Sequence, residues 1–135
     1  MKVLIDTNVI LDVLEYRLPH YEASKQVLML CEQGAVEGYV SGLSFANIVY
    51  IMRKKLDAVK IEQIHNALGE IFTFVDLTAD DISEAVRMRW GDFEDALQAA
   101  SAKRIKADGI ITRNVKDFEC MSIASMTPAD FLKIV

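Results

Sequence analysis

Three acidic groups, far apart in sequence, carry the chemistry this chain can be read for. Asp6 ends the short apolar run Val3-Leu4-Ile5, and Asp92-Phe93-Glu94-Asp95 opens a segment of small residues. Asp117 follows a second apolar run, in Ile110-Ile111-Thr112-Arg113-Asn114-Val115-Lys116-Asp117-Phe118. Carboxylates at strand ends and helix starts suit a Mg²⁺ or Mn²⁺ site, because hard divalent cations take oxygen ligands. In an open α/β sheet such ligands converge in the crevice outside the carboxyl ends of the strands. Asp6 would anchor a metal at the tip of the first strand. Asp95 would lie in the first turn of its helix, where the dipole favours the ionised form, and Asp92 would ligate directly or through water. Asp117 would sit in a loop that folds back over the site. Carboxylates gathered this closely repel one another, and a divalent cation relieves the repulsion. Thr7, Asn8 and Thr112 are placed to hydrogen-bond them from outside.

The elements that must position these groups follow from periodicity. Val3–Ile5 reads as a buried strand, followed by Val9, Ile10, Val13 and Leu14 at helical spacing. Tyr21 to Glu32 reads as a helix closed near Gly34, and Gly38-Tyr39-Val40-Ser41 as a brief strand. Ser44 is placed to cap a helix ending in Arg53-Lys54-Lys55, and Ile61 to Leu68 forms another before the β-like run Ile71–Val75. Thr78 with Asp81, and Asp92 with Asp95, have the spacing of helix starts. Gly109–Thr112 is a strand, Met121–Ala124 a last short one, and Thr127-Pro128-Ala129-Asp130 opens a C-terminal helix. Short apolar strands alternating with helices predict an α/β domain over residues 1–135, with a mainly parallel sheet covered on both faces.

Hydrophobic residues are 52% of the 135, enough for a core. The net charge of −5 provides no general attraction to nucleic acid, so any such binding must rest on a local patch or a metal. Cys31 and Cys120 lie in no zinc-ligand spacing and fit a reducing cytosol, with one disulfide left open. Asp6 interrupts the first apolar run too early for a signal peptide, and no stretch is long enough to span a bilayer. A cytoplasmic protein without a membrane partner is expected.

At four places the chain resembles the PIN-domain family, the nuclease fold of VapC-type toxins. These are Asp6-Thr7-Asn8-Val9-Ile10-Leu11, Ser44-Phe45-Ala46-Asn47-Ile48-Val49-Tyr50, Asp92-Phe93-Glu94-Asp95-Ala96, and Thr112-Arg113-Asn114-Val115-Lys116-Asp117-Phe118. The resemblance implies a three-layer α/β/α sandwich and a Mg²⁺- or Mn²⁺-dependent endoribonuclease that leaves a 5′-phosphate and a 3′-hydroxyl. It further implies an RNA substrate, an antitoxin protein as partner, and a homodimer. The metal set would be Asp6, Asp92, Asp95 and Asp117, with Asp6, Asp95 and Asp117 catalytic. Arg113 and Lys116 flank this set and would bind substrate. The chain departs from the family at two places. Asn47 stands where many PIN domains carry Glu, and Asn114 where many carry an acid. Both would be neutral neighbours of the metal set, with weaker metal affinity as the consequence.

Other readings compete. Each aspartate alone could be a helix cap, and Ser44 with Asn47 has the same helix-start spacing. A catalytically weak PIN-like module that binds RNA or a protein is the alternative to the enzyme. A haloacid-dehalogenase-like hydrolase would need an aspartate where Asn8 stands. His20 and His65 are isolated, and Trp90 could pack internally, face a partner, or stack on a base.

Overall fold

The computed structural model describes residues 1–119 and 121–135. Cys120, and any disulfide with it, therefore lies outside the described residues. Cys31 is buried, and burial pushes its thiol up to about 11, which makes it an inert core residue.

Five strands form one sheet in the order β3-β2-β1-β4-β5, with every pairing parallel. They are β1 (Lys2–Ile5), β2 (Glu37–Ser41), β3 (Thr73–Val75), β4 (Gly109–Ile111) and β5 (Ser125–Met126). The helices are α1 (Thr7–Leu14), α2 (Tyr21–Glu32), α3 (Gly42–Ile51), α4 (Ala58–Ile71), α5 (Ala79–Met88), α6 (Phe93–Arg104) and α7 (Pro128–Leu132). Val115–Phe118 forms a 3-10 turn. The period-2 alternation of the strands divides the core. Val3, Ile5 and Ile111 pack on one side with α1, α2, α3 and α4, while Leu4 and Ile110 pack on the other with α5 and α6. The result is a parallel sheet covered on both faces, as expected. Among the described residues no helix is long and apolar enough to cross a membrane.

Register sets the site. Ile5 pairs with Ile111, and the Asp6 N–H donates to the Ile111 carbonyl at 2.9 Å. The residues that leave β1 and β4, Asp6 and Thr112, therefore emerge side by side. From β1 the chain adds β2 and β3 on one side and later β4 and β5 on the other. The carboxyl ends at this switch point leave the crevice that such sheets use for ligands.

Several boundaries differ from expectation. Ser41, the last residue of β2, caps α3 by accepting from the Leu43 N–H at 3.1 Å. Ser44 and Asn47 lie inside that helix and are not helix-start residues. Ile71 ends α4 instead of opening β3, and the last strand is Ser125–Met126, not Met121–Ala124. At Thr78 and Asp81 the expected capping box forms, with bonds of 3.1 and 3.2 Å. Thr127 caps α7 through the Asp130 N–H. Trp90 is half-buried against the α5–α6 side of the core.

Two predictions concern this scaffold. A Cβ on Gly38 would stand 2.7 Å from Cys31 Sγ and 2.7 Å from Phe72 Cδ1. Gly38→Ala should lower stability by about 1–3 kcal/mol through overpacking, read as a fall in denaturation midpoint. The second concerns Asp81, which joins the α5 cap to Arg104 of α6 through Nε at 2.9 Å and accepts from Ser101 Oγ at 3.3 Å. Burial alone would raise its pKa, but the Arg104 and Thr78 hydrogen bonds outweigh burial and hold it below the ordinary carboxylate value. A depressed folded pKa adds stability above the unfolded value, lost as pH falls through the folded one. Asp81→Asn should cost about 1–3 kcal/mol at pH 7, and the gap to wild type should close in urea titrations toward pH 3.

Candidate active site

Asp6 is the fixed point. It is buried at 4% exposure, yet each carboxylate oxygen is engaged. Oδ1 accepts from the Thr7 N–H at 2.8 Å, which caps α1, and from Gln98 Nε2 at 3.4 Å. Oδ2 accepts from Thr112 Oγ1 at 2.8 Å and Asn8 Nδ2 at 3.4 Å. The supports are themselves supported. The Thr7 hydroxyl donates to Ser44 Oγ at 2.9 Å, Gln98 Nε2 donates to the same oxygen at 2.6 Å, and Thr112 Oγ1 accepts from the Asn114 N–H at 3.0 Å. Asn8 Oδ1 accepts from the Arg113 N–H at 3.3 Å. Capping and site-building are therefore one act: the bond that starts α1 also orients Asp6.

The acidic group at α6 faces Asp6 across a cleft of about 250 Å³, lined by Asp6, Thr7, Asn8, Leu11, Arg17, Ile51, Asp92, Glu94, Asp95 and Asn114. Asp92 caps α6 by accepting from the Asp95 N–H at 3.1 Å. Asp95 is buried in the first turn, and its Oδ2 has no hydrogen-bond partner. Burial, then the charges of Asp92, Asp6, Asp117 and Glu94, push Asp95 up to about 8. The helix N-terminus favours the ionised form, but desolvation and four like charges outweigh it. Without a counter-ion, the chain's own groups therefore oppose the ionisation that the helix dipole favours. Asp6 is also raised, by burial above all, against the lowering effect of its Thr112, Thr7 and Gln98 bonds.

Asp6, Thr7, Asn8, Asp92, Asp95 and Asn114 thus come together, and Thr112 holds Asp6 from behind. Asp117, in the 3-10 turn, lies close enough for its charge to raise Asp95 but does not line the cleft. Lys116 is exposed and makes no ion pair among the described residues. Arg113 is turned away: its Nε donates to Asp12 Oδ2 at 2.9 Å. Asp12 is fully buried and also accepts from Ser24 Oγ at 2.9 Å, so this trio ties α1, α2 and the loop after β4 together. Arg113 braces the fold beside the cleft, with its guanidinium bound to Asp12 and not among the cleft lining.

The sequence reading assigned no site role to Glu94, Gln98, Ser44, Arg17 or Asp12. Glu94 lines the cleft, and its pKa is raised by burial and by Asp6. Asn47 is close enough to Glu94 to lower it, while Asn47 Nδ2 makes no hydrogen bond of good geometry. Helical spacing gave a signal for Gln98, which stands three residues after Asp95 and so shares its face.

Among the described residues no three His, Cys, Asp or Glu side chains already converge as a metal cage. The donor set nevertheless suits a hard divalent cation. It is all oxygen, it holds a buried carboxylate oxygen without a partner, and its members raise one another's pKa values. Such an array can bind a cation or a proton, and with a cation it can address a phosphate.

The fold is shared with known structures. The chain is similar to a protein of a toxin–antitoxin complex from Klebsiella pneumoniae, with 24% identity, a TM-score of 0.72, and coverage of 93% of this chain and 97% of that one. VapC20 of Mycobacterium tuberculosis, a sarcin–ricin loop cleaving toxin, gives 16%, 0.71, and 93% and 99%. VapBC2 from Rickettsia felis, bound to a DNA fragment from its promoter, gives 16%, 0.67, and 94% and 98%. At these identities the likeness speaks for the fold. No curated protein matches the sequence. The family profile of the PIN domain matches residues 2–116, most of the chain, and the chain belongs to the PIN-domain family.

Proposed function

We propose that this protein is a Mg²⁺- or Mn²⁺-dependent endoribonuclease and the toxin of a toxin–antitoxin pair. The observation that carries the reading is the buried, unpartnered Oδ2 of Asp95, a residue that lines one carboxylate cleft with Asp6 at the sheet's switch point. Asp6, Asp92 and Asp95 would hold the cation, with Glu94 beside them and Asp117 on the rim. When bound, the ion supplies an acidified water and charge neutralisation at the phosphate. Asp6 contributes fixed orientation, because both of its oxygens are tethered before any ligand arrives. Asp95 contributes a group that exchanges a proton for the cation. Asn8, Asn47 and Asn114 contribute dipoles without charge. VapC20, described as a sarcin–ricin loop cleaving toxin, supports RNA as the substrate. The toxin–antitoxin complexes among the similar structures support an antitoxin partner. Exposed apolar side chains, Tyr50 and Ile51 on α3 and Ile82 and Val86 on α5, suit that partner or a second copy.

A weakly active or purely binding module is the second reading. It is favoured by the neutral Asn47 and Asn114 beside the carboxylates. Millimolar Mn²⁺ separates the two, since a ligand of the folded state raises its Tm. A clear rise is expected for the enzyme, and no rise would favour the module.

Asp95→Asn should reduce metal-dependent cleavage of single-stranded RNA by at least about 100-fold. The same substitution should stabilise the protein in EDTA. Asp95 has a folded pKa of about 8, raised from 3.8. A raised folded pKa gives stability that is full below the unfolded value and lost as pH rises through the folded one. Asp95→Asn escapes that loss. Its gain over wild type should be about 1–2 kcal/mol at pH 8, allowing for solvent screening, and should disappear near pH 4. A variant that is both active and no more stable would remove Asp95 from the site. By the same linkage, Mn²⁺ binding by the wild type should release a proton below pH 8 and tighten from pH 6 to pH 9. Calorimetry in buffers of different ionisation enthalpy reads that proton directly.

A further inference from the structure

The cleft has one cation on its wall. Among its described lining residues Arg17 alone is positive, opposite Asp6, Asp92, Glu94 and Asp95. A strained turn places it there. α1 ends at Leu14, and Tyr16 then takes a left-handed φ of 51°, unfavourable for a bulky residue. The Arg17 N–H donates back to the Asp12 carbonyl at 2.9 Å, and the Tyr16 ring packs on Tyr21 with centroids 4.4 Å apart. The backbone of Arg17 is thus tied to the residue that Ser24 and Arg113 hold rigid.

The guanidinium is restrained but not consumed. Its Nε and Nη2 both donate to Glu15 Oε1, the Nε at 3.1 Å, and Lys55 Nζ takes Glu15 Oε2 at 3.3 Å. Of five N–H donors two are engaged. The side chain is 34% exposed, whereas that of Glu15 is 14% exposed. The other arginines near the core are committed elsewhere, Arg113 to Asp12 and Arg104 to Asp81.

We propose that Arg17 grips an RNA phosphate next to the scissile one, with Glu15 holding the guanidinium in position until the phosphate arrives. The proposal rests on reading the cleft as a nuclease site. A polyanion entering a wall of carboxylates needs a fixed counter-charge, and the arginine fork matches phosphate oxygens. Lys55 keeps Glu15 compensated when Arg17 turns toward the substrate.

The test is fluorescence anisotropy of a labelled, mixed-sequence single-stranded RNA in EDTA across a salt series, with cleavage in Mn²⁺ measured separately. Arg17→Gln should weaken binding about tenfold and lower the slope of log K against log salt by about 0.7. Arg17→Lys keeps the charge and the Glu15 pair. It should restore the slope but only part of the affinity, and it stands in if Arg17→Gln fails to fold. Glu15→Gln loosens the guanidinium but leaves the cation in place, so it should keep the wild-type salt slope and lose clearly less affinity than Arg17→Gln. A merely structural pair would lose binding equally from either side. Equal losses in the two variants, wild-type binding by Arg17→Gln, or no RNA binding by the wild type would overturn the proposal. Arg17-dependent binding without cleavage by the wild type would sink the hydrolase reading and, with it, the scissile neighbour, leaving Arg17 as an RNA-phosphate contact only.

Discussion

The whole site depends on one buried carboxylate held from both sides. Asp6 leaves β1 where Thr112 leaves β4, and the parallel register between those strands puts the two in hydrogen-bond contact. Burying a charge is costly unless it is bonded, and four donors converge on Asp6. Those donors come from the start of α1, the middle of α6 and the end of β4. Layer packing, helix start and site geometry are therefore coupled. A slip of β4 by one residue would turn Thr112 to the other face and remove a bond that α1 and α6 cannot replace.

α6 brings the opposite problem. Its N-terminus is made to welcome negative charge, and Asp92 satisfies the Asp95 N–H. Asp95 then lies where desolvation and its neighbours oppose ionisation. The fold tolerates this because the rest of α6 is strongly held. Ala96, Ala99 and Ala102 are wholly buried, and Arg104 bonds Asp81 and the Asp76 carbonyl. Packing along the body of the helix supports a strained first turn, and such local conflict between stability and site chemistry is common where function resides.

Local signals were legible in the sequence wherever one residue decides the outcome. Tyr21–Glu32 forms α2 as its periodicity predicts, and Thr78 with Asp81 forms its capping box. Signals failed where tertiary register decides. Ser41 and Ser44 stand three apart, and each could cap a helix. The pairing of Ser41 with Val75 at the end of β2 settles which one does, freeing Ser44 to bond Thr7 and Gln98. The aspartates of the site were legible because strand-end and helix-start positions announce themselves. Asp12 was not, and Gln98 was only through its spacing from Asp95, since mid-helix polar residues look like solvent-facing ones until their burial is known. The partner of Arg113 was hidden for the same reason. Sequence proximity to the site says nothing about which way a long side chain turns, and the buried Asp12 attracts it more strongly than solvent does.

Among the described residues, six of the fifteen Lys and Arg stand in ion pairs with the chain's own acids. Fifteen Lys and Arg face twenty Asp and Glu. Arg17, Lys55, Arg104 and Arg113 are all in internal pairs. Proteins that grip nucleic acid by many phosphate contacts lose affinity steeply with salt, because each contact releases a counterion. Among the described residues that line the cleft Arg17 is the one cation, so the cleft wall itself can make few such contacts. Its affinity for a polyanion would then rest on a short footprint, and a divalent cation in the cleft would act as counter-charge for the substrate as well as in its chemistry. For the proposed nuclease, a net charge of −5 disfavours broad electrostatic capture, so recognition would rest on local contacts at the cleft.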